Sequence, residues 1–169
     1  MGGDNAPREI VLGALRAREE LGIEIVLVGK EDEIKPYLGS TKGIEIVNSS
    51  EIITNDDEPV KAIRRKKDSS MVKGLKLLKE GRAQAMVSAG STGALMAGGL
   101  FIVGRLEGIH RPAIAAVIPT MKDPTLLLDI GANSEVKPIN LVQFALMGSI
   151  YAQQILNKEN PSVGLLNIG

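Results

Sequence analysis

An α/β architecture with a mainly parallel sheet is what this sequence predicts, and three observations predict it. Stretches with helical spacing alternate with short apolar runs, as in "IEIVLVG" (23–29), "QAMVSAG" (84–90) and "AIAAVIP" (113–119). Several of those runs are nearly continuous in apolar residues, which suits strands covered on both faces by crossover helices. Glycine-rich loops stand at the strand-to-helix junctions, above all in "VSAGSTGALM" (87–96). The expected sheet is mixed, with helices on both faces.

Taken in order, Asp4 or Asn5 precedes a helix with Pro7 in its first turn. Ile10, Ala14, Ala17 and Leu21 then mark one face before Gly22 ends it. Strands follow at 23–29 and at "GIEIVNS" (43–49), with a short helix at "EDEIKPYL" between them. Asp68 or Ser69 caps a helix whose Met71, Leu75 and Leu78 share a face and which stops at Gly81. A strand at 84–90 leads into a helix over 92–106. Strands at 113–119 and "TLLLDIG" (125–131) are joined by the turn-rich "TMKDP", short enough for antiparallel neighbours. Leu141, Ala145, Gly148, Ala152 and Ile155 trace a long helix, and "VGLLNIG" (163–169) reads as a last strand.

The 169 residues, 44% of them hydrophobic, suffice for one domain with a core, and no repeat, low-complexity tract or linker divides them. Both ends read as cut. The first helix has no strand before it, and the last strand stops where a loop should begin. With 20 basic and 20 acidic residues the net charge is zero, so nothing draws the whole chain to nucleic acid or an anionic membrane. The absence of cysteine removes disulfides, thiolate metal sites and a cysteine nucleophile, and points to a cytoplasmic protein. Two Phe, two Tyr and no Trp leave few platforms for base stacking. The N-terminus lacks the order of a signal peptide. Residues 83–104 carry no charge over a length that would span a bilayer, but their glycines and Ser88, Ser91 and Thr92 read instead as strand, loop and helix.

Four loops are chemically suggestive: "GGDNAP" (2–7), "SAGSTG" (88–93), "DIGANS" (129–134) and "NIG" (167–169). In an open α/β sheet ligands lie beyond the carboxyl ends of the strands, where loops present N–H groups at helix N-termini. Glycine permits close approach, and Ser, Thr and Asn add short donors. Phosphate is the ligand that suits such loops; tight turns alone are the plainer explanation for any one of them. Neither a G-x-G-x-x-G nor a G-x-x-x-x-G-K-[ST] pattern is present, so no nucleotide cofactor is indicated. No metal site is expected either. His110 is the only histidine, and Asp4, Asp56, Asp57 and Asp129 lack ligand spacing. The run Arg64, Arg65, Lys66, Lys67 ahead of Ser69 and Ser70 reads either as a solvated helix face or as cations and hydroxyls gathered at an anion-binding helix start. Arg111 in "HRP" allows the same two readings.

Together the segments "MGGDNAP", "RRKKDSSM", "VSAGSTGALMAGG", "RPAIAAVIPT", "LLLDIGAN", "LVQFALMGSIYA" and "GLLNIG" resemble the PlsX family of phosphate acyltransferases, in that family's order and from end to end of the chain. The resemblance covers the family's N-terminal half and lacks its opening strand; Ser91 stands where the family has Asn. It implies a fold akin to the isocitrate dehydrogenase and phosphate acetyltransferase group. It also implies an enzyme moving an acyl group from acyl carrier protein, or acyl-CoA, to inorganic phosphate, without a cofactor. A homodimer and a peripheral association with the cytoplasmic membrane face are further implied. On that footing Ser88, Gly90, Ser91, Thr92 and Gly93 would hold phosphate, with Ser69 and Ser70 beside them. Arg64, Lys66 or Arg111 would balance its charge, and Gly2, Gly3, Asn5, Asp129, Gly131 and Asn133 would complete the wall. Competing expectations are a phosphate acetyltransferase-like or dinucleotide-using enzyme on a related sheet, or a non-catalytic domain that binds acyl carrier protein.

Overall fold

The computed structural model describes residues 1–39 and 43–167. They cluster into two compact units, Met1–Gly104 and Arg105–Gly169. The class is α/β, as the sequence predicts. The sheet is not continuous: the described residues hold one parallel pair of strands in the first unit and one antiparallel pair in the second.

In the first unit, α1 (Arg8–Leu21) starts after Pro7, whose fixed φ suits a helix start, and ends at left-handed Gly22, whose N–H bonds the Arg18 carbonyl at 3.0 Å. Neither Asp4 nor Asn5 caps it with a side chain; the Asn5 carbonyl accepts the Glu9 N–H instead. Its buried stripe is also displaced from the expected one. Val11, Ala14 and Leu15 face inward, whereas Ile10 is 40% and Leu21 68% exposed. Two apolar stripes were available on this helix, and the one through Val11 and Leu15 packs on the core of the first unit.

Strands β1 (Val26–Gly29) and β2 (Glu45–Asn48) pair in parallel, Leu27 opposite Ile46, with α2 (Glu31–Ile34) and a 3-10 turn over Lys35–Tyr37 following β1. Val11, Leu27 and Ile34 form one small core. Helix α3 (Pro59–Arg65) packs with α4 (Ser70–Lys79) and α5 (Thr92–Gly98) around Ile63, Val72, Leu75 and Ala94. Met71 and Leu75 are buried and Leu78 half-buried, as their spacing predicts. Gly98 permits the closest approach in this core: a Cβ there would overlap Leu75 Cδ1. Past α5 the chain makes a π turn over Gly99–Val103, closed by the Gly104 N–H on the Gly99 carbonyl.

The expected strand at 84–90 does not form. Its backbone meets no hydrogen-bonding partner strand among the described residues, and Val87 is 97% exposed. An extended run becomes a strand only where a neighbour supplies the ladder.

In the second unit, β3 (Ala115–Ile118) and β4 (Thr125–Leu128) pair antiparallel, Ala116 opposite Leu127, across the "TMKDP" turn as expected. The long helix α6 (Pro138–Gln154) buries Phe144 and Ala152, and its Gly148 lies against β4, where a Cβ would sit 3.2 Å from Leu128 Cδ1. Residues 163–167 form no strand, and Leu166 is 82% exposed; Ile168 and Gly169 lie outside the described residues. The strands are wetter than their apolar composition predicts. Leu27 and Gly29 alone are buried among the residues of the four strands. No helix among the described residues is long and apolar enough to cross a membrane.

Candidate functional site

Two of the sequence-predicted loops meet in the first unit. Gly2 takes φ +94°, and a Cβ on it would lie 2.6 Å from the Ile53 carbonyl oxygen; on Gly3 it would lie 3.0 Å from that of Ala89. Only glycine allows the Met1–Gly3 backbone to pass this close to both. Asn5 sits exposed nearby in sequence, with no side-chain partner among the described residues.

The 88–93 loop is built by its own hydroxyls. Ser88 Oγ accepts the Gly90 N–H at 3.2 Å, and buried Ser91 caps α5 by accepting the Ala94 N–H at 3.3 Å. The Gly90 N–H, expected to face the anion, is bonded within the loop. The N–H groups of Thr92 and Gly93 meet no acceptor among the described residues, as the first turn of a helix leaves them. Thr92 is exposed. Neither Gly90 nor Gly93 has positive φ. Gly93 is small for a packing reason, since a Cβ would come 2.9 Å from Pro59 Cγ.

The basic run divides. Lys66 Nζ donates to the Ile52 carbonyl at 2.8 Å and pairs with Asp57 Oδ2 at 2.6 Å, so it fastens the end of α3 to the 52–57 loop and is not an uncommitted counter-ion. That bond from Lys66, with others from the Thr54 N–H and hydroxyl, holds the Asp57 carboxyl below the usual carboxylate range. Arg64 is exposed and lies over the Phe101 ring, 5.3 Å from its centroid. Ser69 is fully buried: its Oγ donates to the Lys66 carbonyl and accepts the Val72 N–H, making it the cap of α4. Ser70, in the first turn, is 8% exposed, and its hydroxyl makes no bond among the described residues. Asp68, the other cap candidate for α4, instead accepts from the Ser50 N–H and hydroxyl at 2.8 and 2.6 Å and pairs with Lys73 at 2.5 Å. Lys73 foremost, then Ser50, holds its carboxyl far below the ordinary value.

In the second unit, Asp129 and Asn133 interlock. Asp129 Oδ1 accepts the Ile114 N–H at 2.8 Å and the Ala132 N–H at 3.2 Å; Oδ2 accepts the Asn133 N–H and Nδ2, both at 2.9 Å. Partial burial opposes the charged form, but these donors outweigh it and hold the Asp129 carboxyl below its ordinary range. Gly131, at φ +84°, makes the turn that brings the donors round. Asn133 Nδ2 also bonds the Pro112 carbonyl at 2.9 Å, leaving Oδ1 to accept from Arg111 Nη1 at 3.4 Å. Asp129 is thus saturated by protein donors and orients Asn133, which steadies Arg111. Arg111 opens onto a cleft of about 410 Å³ that His110 also lines.

Similarity to known proteins is high along the whole chain. It is 54% identical over 169 residues to the phosphate acyltransferase of Thermoanaerobacterium thermosaccharolyticum, covering all of this chain and 51% of that protein. The phosphate acyltransferases of Heliobacterium modesticaldum and Bacillus pumilus are 56% and 55% identical over 174 and 171 residues, again with all of this chain and 52% of each relative covered. The chain spans about half the length of these curated relatives. The family model described as "Fatty acid synthesis protein" matches residues 1–169, and the chain belongs to that family.

Proposed function

We propose that this chain is part of an acyltransferase that moves a fatty acyl group from acyl carrier protein to inorganic phosphate, releasing acyl phosphate and the carrier thiol. The observation that carries the reading is the 88–93 loop: a serine-capped helix start with the Thr92 and Gly93 N–H groups uncommitted, within a chain like phosphate acyltransferases throughout.

The reaction asks little covalent chemistry of the protein. A phosphate oxygen attacks the thioester carbonyl, the carbonyl oxygen becomes an oxyanion in the tetrahedral intermediate, and collapse expels the thiolate, which then takes a proton. A thiol with a pKa of about 8.5, by analogy with cysteine, leaves without strong acid assistance. Rate comes from holding the phosphate about 3 Å from the carbonyl and from donors preset for the oxyanion. Thr92 and Gly93 N–H groups with the Thr92 hydroxyl would hold phosphate, and exposed Arg64 would offset its charge. A homodimer and peripheral placement at the cytoplasmic membrane belong to the same proposal.

The test is to incubate a full-length protein carrying these residues with acyl-carrier protein and labelled phosphate. Labelled acyl phosphate and free carrier thiol in equal amounts are expected. An acyl-enzyme trapped on the pathway contradicts direct attack, and release of free fatty acid without labelled product contradicts acyl transfer to phosphate.

A further inference from the structure

We propose that the cleft of the second unit is a binding site for an organic phosphate monoester, a reading independent of whether the 88–93 loop binds phosphate. The cleft, of about 410 Å³ and open to solvent, is lined by Arg105, Arg111 and Lys137 against one carboxylate, Glu135, with Val136 and Ile139 supplying apolar surface.

The charge balance selects the ligand class. Three cations and one anion leave a surplus of two positive charges at neutral pH, which matches the roughly −1.5 to −2 of a phosphate monoester better than the single charge of a diester. The apolar surface of Val136 and Ile139 beside the cations favours an organic monoester over inorganic phosphate alone.

The cations are also held in place to differing degrees. Asn133, itself bonded to Asp129 and Pro112, steadies the Arg111 guanidinium, and the Arg105 guanidinium donates to the His110 carbonyl. Each keeps further N–H groups for a ligand. Lys137 has no ion-pair partner among the described residues. The Lys137 N–H bonds Asn140 Oδ1 at 2.8 Å, fixing the start of α6, where the Ile139 N–H has no acceptor among the described residues. A monoester seated here would set its phosphate between Arg111 and Lys137 and lay its carbon chain on Val136 and Ile139.

Amide NMR of the 169-residue chain, titrated separately with butyl phosphate, inorganic phosphate and butanol, tests the site. Butyl phosphate is expected to shift the amides of Arg111, Lys137 and Ile139 saturably, inorganic phosphate to bind there at least about fivefold more weakly, and butanol to leave them unmoved. Lys137→Ala, at an exposed side chain, should weaken butyl phosphate about tenfold while the remaining α6 amides keep their positions. Unshifted amides with butyl phosphate overturn the site, and equal affinity for inorganic phosphate overturns the monoester assignment. An undiminished affinity in the folded Lys137→Ala chain overturns the charge argument. Shifts confined to 88–93 would leave the phosphate loop standing and overturn this site.

Discussion

Asn133 Nδ2 donates to Asp129 Oδ2 at 2.9 Å, within a turn where Asp129 also receives three backbone N–H groups. The carboxylate's acceptor positions are filled from inside the protein, so its work is to hold the 111–133 neighbourhood together. Asp129→Asn replaces an acceptor-only group by one that is half donor, facing N–H groups on both sides. The substitution should destabilise the second unit by about 1–2 kcal/mol, the lower part of the range for charged hydrogen bonds because the site is open to water. Urea unfolding followed by amide signals of β3 and β4 measures it, and an unchanged midpoint contradicts the interlock.

Asp68 gives the pH dependence. Its carboxyl is depressed in the folded chain by Lys73 and Ser50, so the unfolded state binds a proton first as pH falls. The stabilisation is fully present above the unfolded value of about 3.9 and is lost as pH drops below it toward the folded value. Asp68→Asn should therefore lower the urea midpoint at pH 7, with the difference from the parent shrinking steadily below about pH 4. A difference that grew on acidification would contradict the geometry.

Two glycines on helices should respond oppositely to alanine. At Gly98 a methyl group would overlap Leu75 Cδ1 inside the α3–α4–α5 core, and Gly98→Ala should cost about 1–3 kcal/mol. At Gly13, exposed in the middle of α1 with nothing within 4 Å of an added Cβ, Gly13→Ala should stabilise by about 0.5–1 kcal/mol. Thermal melts of the two variants check both signs.

Local signals in the sequence carried well into the structure. Ser69 as the cap of α4, left-handed Gly22 and Gly81 after α1 and α4, and the antiparallel pair across "TMKDP" all follow from chemistry within a few residues of each position. What depended on distant partners did not show. Val87 has strand composition but no ladder, and the commitment of Lys66 to Asp57 and Ile52 lies in a fold-specific approach that no periodicity marks. The candidate site divides the same way. Its glycine-rich loops were legible, but the reasons for the glycines were not: Gly2 and Gly3 are needed by close backbone approach, Gly93 by Pro59 and Gly131 by positive φ. Conversely Asp129, grouped in the sequence with ligand-binding residues, spends its oxygens on the protein.

The phosphate-loop assignment is tested most directly by removing together the two donors that Thr92 would give phosphate, its N–H and its hydroxyl. Thr92 is the first residue of α5, where proline's fixed φ fits and its missing donor breaks no intrahelical bond; Ser91 before it is outside the helical region, at ψ 115°. Isothermal titration of inorganic phosphate into the parent chain and into Thr92→Pro, with melting temperatures recorded on both, reads the effect. A dissociation constant raised by about tenfold or more, at a melting temperature within about 2 °C of the parent, is the predicted result. A stably folded Thr92→Pro chain that binds phosphate as tightly as the parent would contradict it.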